Sequence, residues 1–168
     1  VIQATKANGH LLLKIKDGVR VKSNEEITVF ISAPTADYFH VSGTGDLMIT
    51  GNISAADLDM SISGTGNLTL PSVSIVNKIK AAISGSGNIS ILAGSAKNEE
   101  LKISGSGKLL LEGVAAEKAD ATISGSGDIK VNVSQSLDAT ISGSGSVYYH
   151  GNPLISTNIS GSGRVRPI

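Results

Sequence analysis

The amino-acid sequence predicts an all-β protein, a parallel β-helix or β-solenoid built from rungs of 18–21 residues. Three observations carry this. The pattern (Ile/Val)-Ser-Gly-(Ser/Thr)-Gly-x-(Leu/Ile/Val) occurs seven times, beginning at Val41, Ile62, Ile83, Ile103, Ile123, Ile141 and Ile159. On both sides of it apolar and polar residues alternate. Fourteen of the 20 glycines fall inside it, so the composition and the repeat are one fact.

The first 40 residues lack the motif. Within them Leu11–Lys16, Val19–Val21 and Ile27–Ile31 read as strands, with a turn at Asp17-Gly18. These strands are expected to form the first turns or a cap, because the open edge of a solenoid needs covering. Residues 41–168 then supply seven rungs of one domain spanning 1–168.

Each rung reads in the same order. Before the glycines, Leu58-Asp59-Met60-Ser61-Ile62-Ser63 and Leu137-Asp138-Ala139-Thr140-Ile141-Ser142 alternate with period two, which marks a strand with one buried face. After them the alternation resumes in Leu68-Thr69-Leu70, Ile89-Ser90-Ile91 and Ile129-Lys130-Val131. The Gly-(Ser/Thr)-Gly between is a bend, where glycine turns sharply without a Cβ penalty. A rung this short cannot bury its own apolar face, but stacked rungs about 4.8 Å apart can. The motif isoleucines then form one inward column, Leu47, Leu68, Ile89, Leu109, Ile129 and Val147 another, and the motif serines an outward one.

Repeat length varies only in the third segment of each rung, through Gly51–Asp57, Ser72–Lys78, Gly94–Glu99, Gly113–Lys118, Val133–Ser136 and Gly151–Leu154. In solenoids such variation gathers on one face, often the binding face. Glu99 falls where other repeats are apolar and is read as a loop distortion following Ala93–Asn98. The chain stops soon after the seventh motif, so a partner is expected to cover that end, and the terminal rungs offer a route to a homo-oligomer. A propeller would need a period of roughly 40–50 residues, and an outer-membrane barrel would carry aromatic girdles.

Composition narrows the function. Acidic and basic residues balance at 14 each and aromatic residues are 3% of the chain, so neither a basic stripe nor a set of stacking rings points to nucleic acid. No cysteine is present for a disulfide, a thiolate metal site or a thiol nucleophile. No apolar run approaches the ~20 residues of a membrane helix. The sequence opens at Val1 rather than Met, as a chain whose leader has been removed would.

The repeated Ile-Ser-Gly-Ser-Gly-(Asn/Asp)-(Ile/Leu), the late Val147-Tyr148-Tyr149-His150-Gly151-Asn152-Pro153 and the stretch Ile27–Pro34 together resemble the auto-transporter adhesin, head GIN domain family. The resemblance covers nearly the whole chain. It implies a right-handed β-helix similar to pectin-lyase-like folds, export by bacteria such as the Bacteroidetes to the periplasm, outer membrane or cell surface, and an adhesion role without established catalytic residues.

Candidate sites are few. Ser124–Asp128 resembles half of a calcium-binding glycine-rich repeat, but that position runs Asp46, Asn67, Asn88, Lys108, Asp128, Ser146 and Arg164, and its cations would repel a metal ion. No Walker or Gly-x-Gly-x-x-Gly loop opens a helix. His10, His40 and His150 lie far apart. Asp59, Lys80, Glu100, Asp120 and Asp138 align in one outward column. Its run Glu100, Asp120 and Asp138 has three readings: a cation site, the acid/base pair of a polysaccharide-cleaving β-helix, or a solvated strand edge softened by Lys102 and Lys118. Tyr148 and His150 should face outward, with Val147 and Tyr149 inward. Tyr148 either stacks on a sugar ring, aided by Lys130 one turn away, or shields the last complete turn.

These readings converge on a non-catalytic extracytoplasmic adhesion or binding scaffold, using no cofactor and no metal. Its expected partner is a host or cell-surface glycan or protein. The candidate binding surface comprises Tyr148, His150, Lys130, Glu100, Asp120 and Asp138. The alternatives are a polysaccharide-active enzyme on a β-helix and a structural spacer assembling end to end.

Overall fold

A computed structural model describes residues 1–20 and 27–168. The chain divides into two compact units, Val1–Ala33 and Pro34–Ile168.

In the first unit, β1 (Ile2–Ala7) pairs antiparallel with β2 (His10–Ile15), with Ala4 opposite Leu13. The two-residue loop is Asn8-Gly9, both at positive φ (50° and 81°), which suits the twist of a tight hairpin. The strand expected at Leu11–Lys16 is thus present and ends at Ile15, and the Asp17-Gly18 turn is present, with Val19 N–H donating to the Lys16 carbonyl at 3.1 Å. The strand expected at Ile27–Ile31 does not form. Residues 27–33 have no ladder partner among the described residues, and alternation without a partner does not make a strand. Val19 and Arg20 are likewise outside any strand, and Val21 lies outside the described residues.

The second unit is the solenoid. Its strands are β3 (Tyr38–Gly43), β4 (Leu47–Met48), β5 (Asn52–Gly64), β6 (Asn67–Leu70), β7 (Ser72–Gly85), β8 (Asn88–Ile91), β9 (Gly94–Gly105), β10 (Lys108–Gly125), β11 (Asp128–Gly143), β12 (Ser146–His150), β13 (Leu154–Gly161) and β14 (Arg164–Pro167). Every pairing among them is parallel, and among the described residues there is no helix. The seven motif copies stack in register, with Ile83 on Ile103, Ile103 on Ile123 and Ile123 on Ile141. The inward columns are almost fully buried from Leu58 through Val147 and form one continuous core. Each buried isoleucine or leucine contributes about 1.5–3 kcal/mol.

The corners show why the motif needs glycine. The first glycine of each copy has a positive φ, near +130° from the second copy onward, as at Gly85, Gly105 and Gly125. The carbonyl of Gly105 accepts two bonds from the next rung, from Ser126 N–H at 2.9 Å and Gly127 N–H at 3.2 Å. A Cβ on Gly125 would land on that same carbonyl oxygen.

Length differences between rungs are absorbed where the sequence placed them, in or just before the third segment. The ladders slip at Ala55/Asp57, Ser74/Lys78, Leu110/Ala115 and Ala116/Lys118. Glu99 is a correction. No loop distortion surrounds it: β9 runs straight through, and Glu99 sits in register between Ile79 and Ala119 with its side chain in the core. The inward column is set by strand pairing, so a polar residue in it is carried inside with its neighbours.

Candidate functional site

Two outward columns hold the residues singled out by sequence. The first is the acidic one, where Asp59, Lys80, Glu100, Asp120, Asp138 and Ser156 are successive ladder partners. Side chains at such positions lie about 4.8 Å apart, so Glu100, Asp120 and Asp138 are neighbouring like charges. The cation meeting them is Lys78, whose Nζ lies 3.0 Å from Glu100 Oε2, and not Lys102. Lys80 lies 3.9 Å from Asp59. Both pairs are about half exposed, and such pairs contribute under ~1 kcal/mol. Lys78, Glu100, Lys118, Asp120 and Asp138 line an open groove of about 350 Å³. Among the described residues no three carboxylates or imidazoles converge as a metal shell would.

Glu99 borders this groove from within the wall. It is 2% exposed, and neither carboxylate oxygen has a hydrogen-bond partner. Burial raises its pKa well above the ordinary carboxylate value, because the charged form loses its hydration with nothing in exchange. General acid catalysis calls for a carboxyl held protonated in this way. Here, however, the oxygens are sealed from solvent, and a substrate in the groove could not reach them.

The second column lies on the strand following the glycines, near the C-terminal end. Tyr148 pairs with Lys130 on one side and with Arg166 on the other. Arg164 follows Ser146 in the adjacent column, and His150 pairs with Asn132. As expected, Val147 is buried and Tyr149 packs on the core, while Tyr148 is half-buried and His150 exposed. Lys130 Nζ lies 3.5 Å from Glu112 Oε1 on the preceding rung. Arg166 was legible in the repeat, since it occupies the place of Tyr148 one period on.

Elsewhere the outward columns bond to themselves. Asn67 donates to Asp46 Oδ1 from its backbone N–H at 2.8 Å and from Nδ2 at 2.9 Å, and Asn88 Nδ2 donates to Asn67 Oδ1 at 2.8 Å. This polar ladder stands where the half calcium motif was weighed. His40 Nδ1 lies 2.8 Å from Ser61 Oγ beside a second open groove of about 310 Å³, over the serine column.

The family model described as "Putative auto-transporter adhesin, head GIN domain" matches residues 2–153. Among solved structures, a putative adhesin from Bacteroides fragilis is similar over 99% of this chain and 76% of its own, at 29% identity and a TM-score of 0.92. A putative adhesin from Parabacteroides distasonis is similar over 78% of this chain, at 25% identity and a TM-score of 0.73. This chain spans 56% of that structure's length. A protein from the same organism described as a putative lipid binding protein is 30% identical, with a TM-score of 0.75, over 78% of this chain and 52% of its own. No curated protein matches the sequence.

Proposed function

The chain belongs to the auto-transporter adhesin, head GIN domain family, and from that premise we propose that it is a non-catalytic binding scaffold acting outside the cytoplasm, which engages cell-surface carbohydrate. The observation that carries this reading is the in-register column Lys130, Tyr148 and Arg166. An aromatic face suits the apolar face of a pyranose ring, and cations one rung to each side suit carboxylate or sulfate groups along an acidic glycan. The ladder fixes the spacing of the three backbone positions, so the ordering that opposes binding is confined to the side chains. Glu100, Asp120 and Asp138 form a second face, whose Lys78 contact favours a structural role over acid/base work.

The test is a glycan array, followed by a polysaccharide-degradation assay on each hit. The expected result is retention of acidic glycans without cleavage, weakened about tenfold by Tyr148→Ala, which corresponds to about 1.4 kcal/mol. Cleavage of any hit would overturn the non-catalytic reading. Vesicles carrying an anionic phospholipid form the comparison arm, because one structural neighbour is named as lipid binding. Retention by vesicles alone would move the ligand class from glycan to lipid.

A further inference from the structure

The outward column through Tyr148 includes one more residue with a bearing on what it binds. Its ladder partners run Leu110, Lys130, Tyr148 and Arg166 on successive rungs. Along these four rungs an apolar or aromatic surface alternates with a cation. Leu110, Lys130 and Tyr148 are half-buried and Arg166 is exposed. Rungs repeat every ~4.8 Å, so the Leu110 and Tyr148 positions lie about 9.6 Å apart, as do those of Lys130 and Arg166.

The columns on either side do not share this alternation. On one side the same four rungs carry Lys108, Asp128, Ser146 and Arg164. On the other, Glu112 Oε1 lies 3.5 Å from Lys130 Nζ. Asp128 and Glu112 thus flank Lys130, whereas Arg164 reinforces Arg166, which makes Arg166 the stronger cationic point. Lys130 still has donors to offer, because an ammonium carries three and this ion pair is long and partly exposed.

An extended β-linked pyranose chain advances by close to one rung spacing per sugar. Laid across the strands, along the solenoid axis, it sets one sugar on each rung of the column. Resting on the reading that this column binds acidic glycan, we infer that the ligand is a linear β-linked polysaccharide with an acidic group on every second sugar. Its uncharged sugars cover Leu110 and Tyr148 with their C–H faces, and its acidic sugars meet Lys130 and Arg166. An acid on every sugar would also press carboxylates onto Leu110 and Tyr148, where they lose hydration and gain no counter-charge within the column. A neutral chain would cover the two cations and supply no anion. Four sugars are the shortest length that meets all four positions.

The test is isothermal titration of the intact chain with oligosaccharides of defined sequence. The probes are a tetrasaccharide alternating glucuronate with N-acetylglucosamine, its disaccharide unit, an all-mannuronate tetrasaccharide and an N-acetylglucosamine tetrasaccharide. The alternating tetrasaccharide is expected to bind about tenfold more tightly than each of the other three. Leu110→Arg adds a cation where the alternating chain has none, and should move the preference toward the all-mannuronate probe. Arg166→Gln should weaken the alternating probe more than Lys130→Gln does, and should leave the neutral probe unaffected. Circular dichroism checks the fold of each variant, and the Arg166 comparison stands if Leu110→Arg does not fold. An all-mannuronate tetrasaccharide that binds as tightly as the alternating one would overturn the alternation and leave the acidic-glycan reading in place. A preference unmoved by Leu110→Arg in a folded variant would overturn it as well. Binding by neither acidic tetrasaccharide would remove the reading itself, and this inference with it.

Discussion

Replacing Glu99 with leucine is expected to stabilise the protein by about 3 kcal/mol at pH 8, an unusual outcome for a core substitution. The side chains are similar in size, and Ile79 in the preceding rung already offers an apolar surface. What is removed is a carboxyl group that is buried without a hydrogen bond. The pH dependence follows from the direction of its shift. The folded-state pKa lies above the unfolded value of about 4.3. Between the two values the folded chain holds the proton and the unfolded chain does not, so stability falls as pH rises through that interval. The contribution is fully present below the unfolded pKa and is lost as pH rises through the folded one. Urea unfolding at pH 5 and pH 8 should show the unmodified chain losing more stability between these conditions than Glu99→Leu or Glu99→Gln. If Glu99→Leu proves less stable at pH 8, the carboxylate has a partner in the core and the apolar account of its surroundings fails.

Gly125→Ala is expected to cost about 3–5 kcal/mol, with the loss measured as a fall in the urea midpoint. Two penalties combine there. The residue holds φ at +134°, which L side chains rarely adopt, and the new methyl meets the Gly105 carbonyl that anchors the corner. Gly43 separates them. It occupies the same motif position at φ +98°, but no atom lies within 4 Å of where its Cβ would be. Gly43→Ala therefore carries the backbone strain alone, about 1–2 kcal/mol. Equal losses at the two sites would mean that strain dominates and that close stacking contributes nothing. The Gly125 variant should also lose its single sharp transition. Rungs interact only with their neighbours, so a break in the middle leaves two arrays that unfold separately.

Much of the solenoid was legible because one motif dictates three things at once: the bend, the buried column and the stacking register. Strand pairing in all seven copies follows from that, as do the alignments of Glu100 with Asp120 and of Lys130 with Tyr148. The N-terminal residues lacked such redundancy. Ile27–Ile31 alternates as a strand should, yet a strand exists only where another completes its ladder, which a local pattern cannot reveal. The hairpin turn was available in Asn8-Gly9, a dipeptide that supplies both positive φ values, but the alternation in Ile2–Ala7 is too weak to announce its strand. Glu99 was misread for a different reason. Chemistry argued that a carboxylate avoids the core, whereas the ladders on both sides leave it nowhere else to go. Contacts reaching across rungs, such as Lys78 to Glu100, depend on side-chain reach and lie beyond what alignment of repeats can supply.

The irregular third segment gives this architecture slack. Two sides of each rung are locked by glycine corners and isoleucine columns, where a single added residue would invert every side chain that follows. The third side takes up one or two residues through ladder slips and returns the chain to register before the next motif. Variation can therefore accumulate along one stripe of the surface without reaching the core. Lineages that share this fold are free to diverge in what they recognise while keeping one unchanging spine.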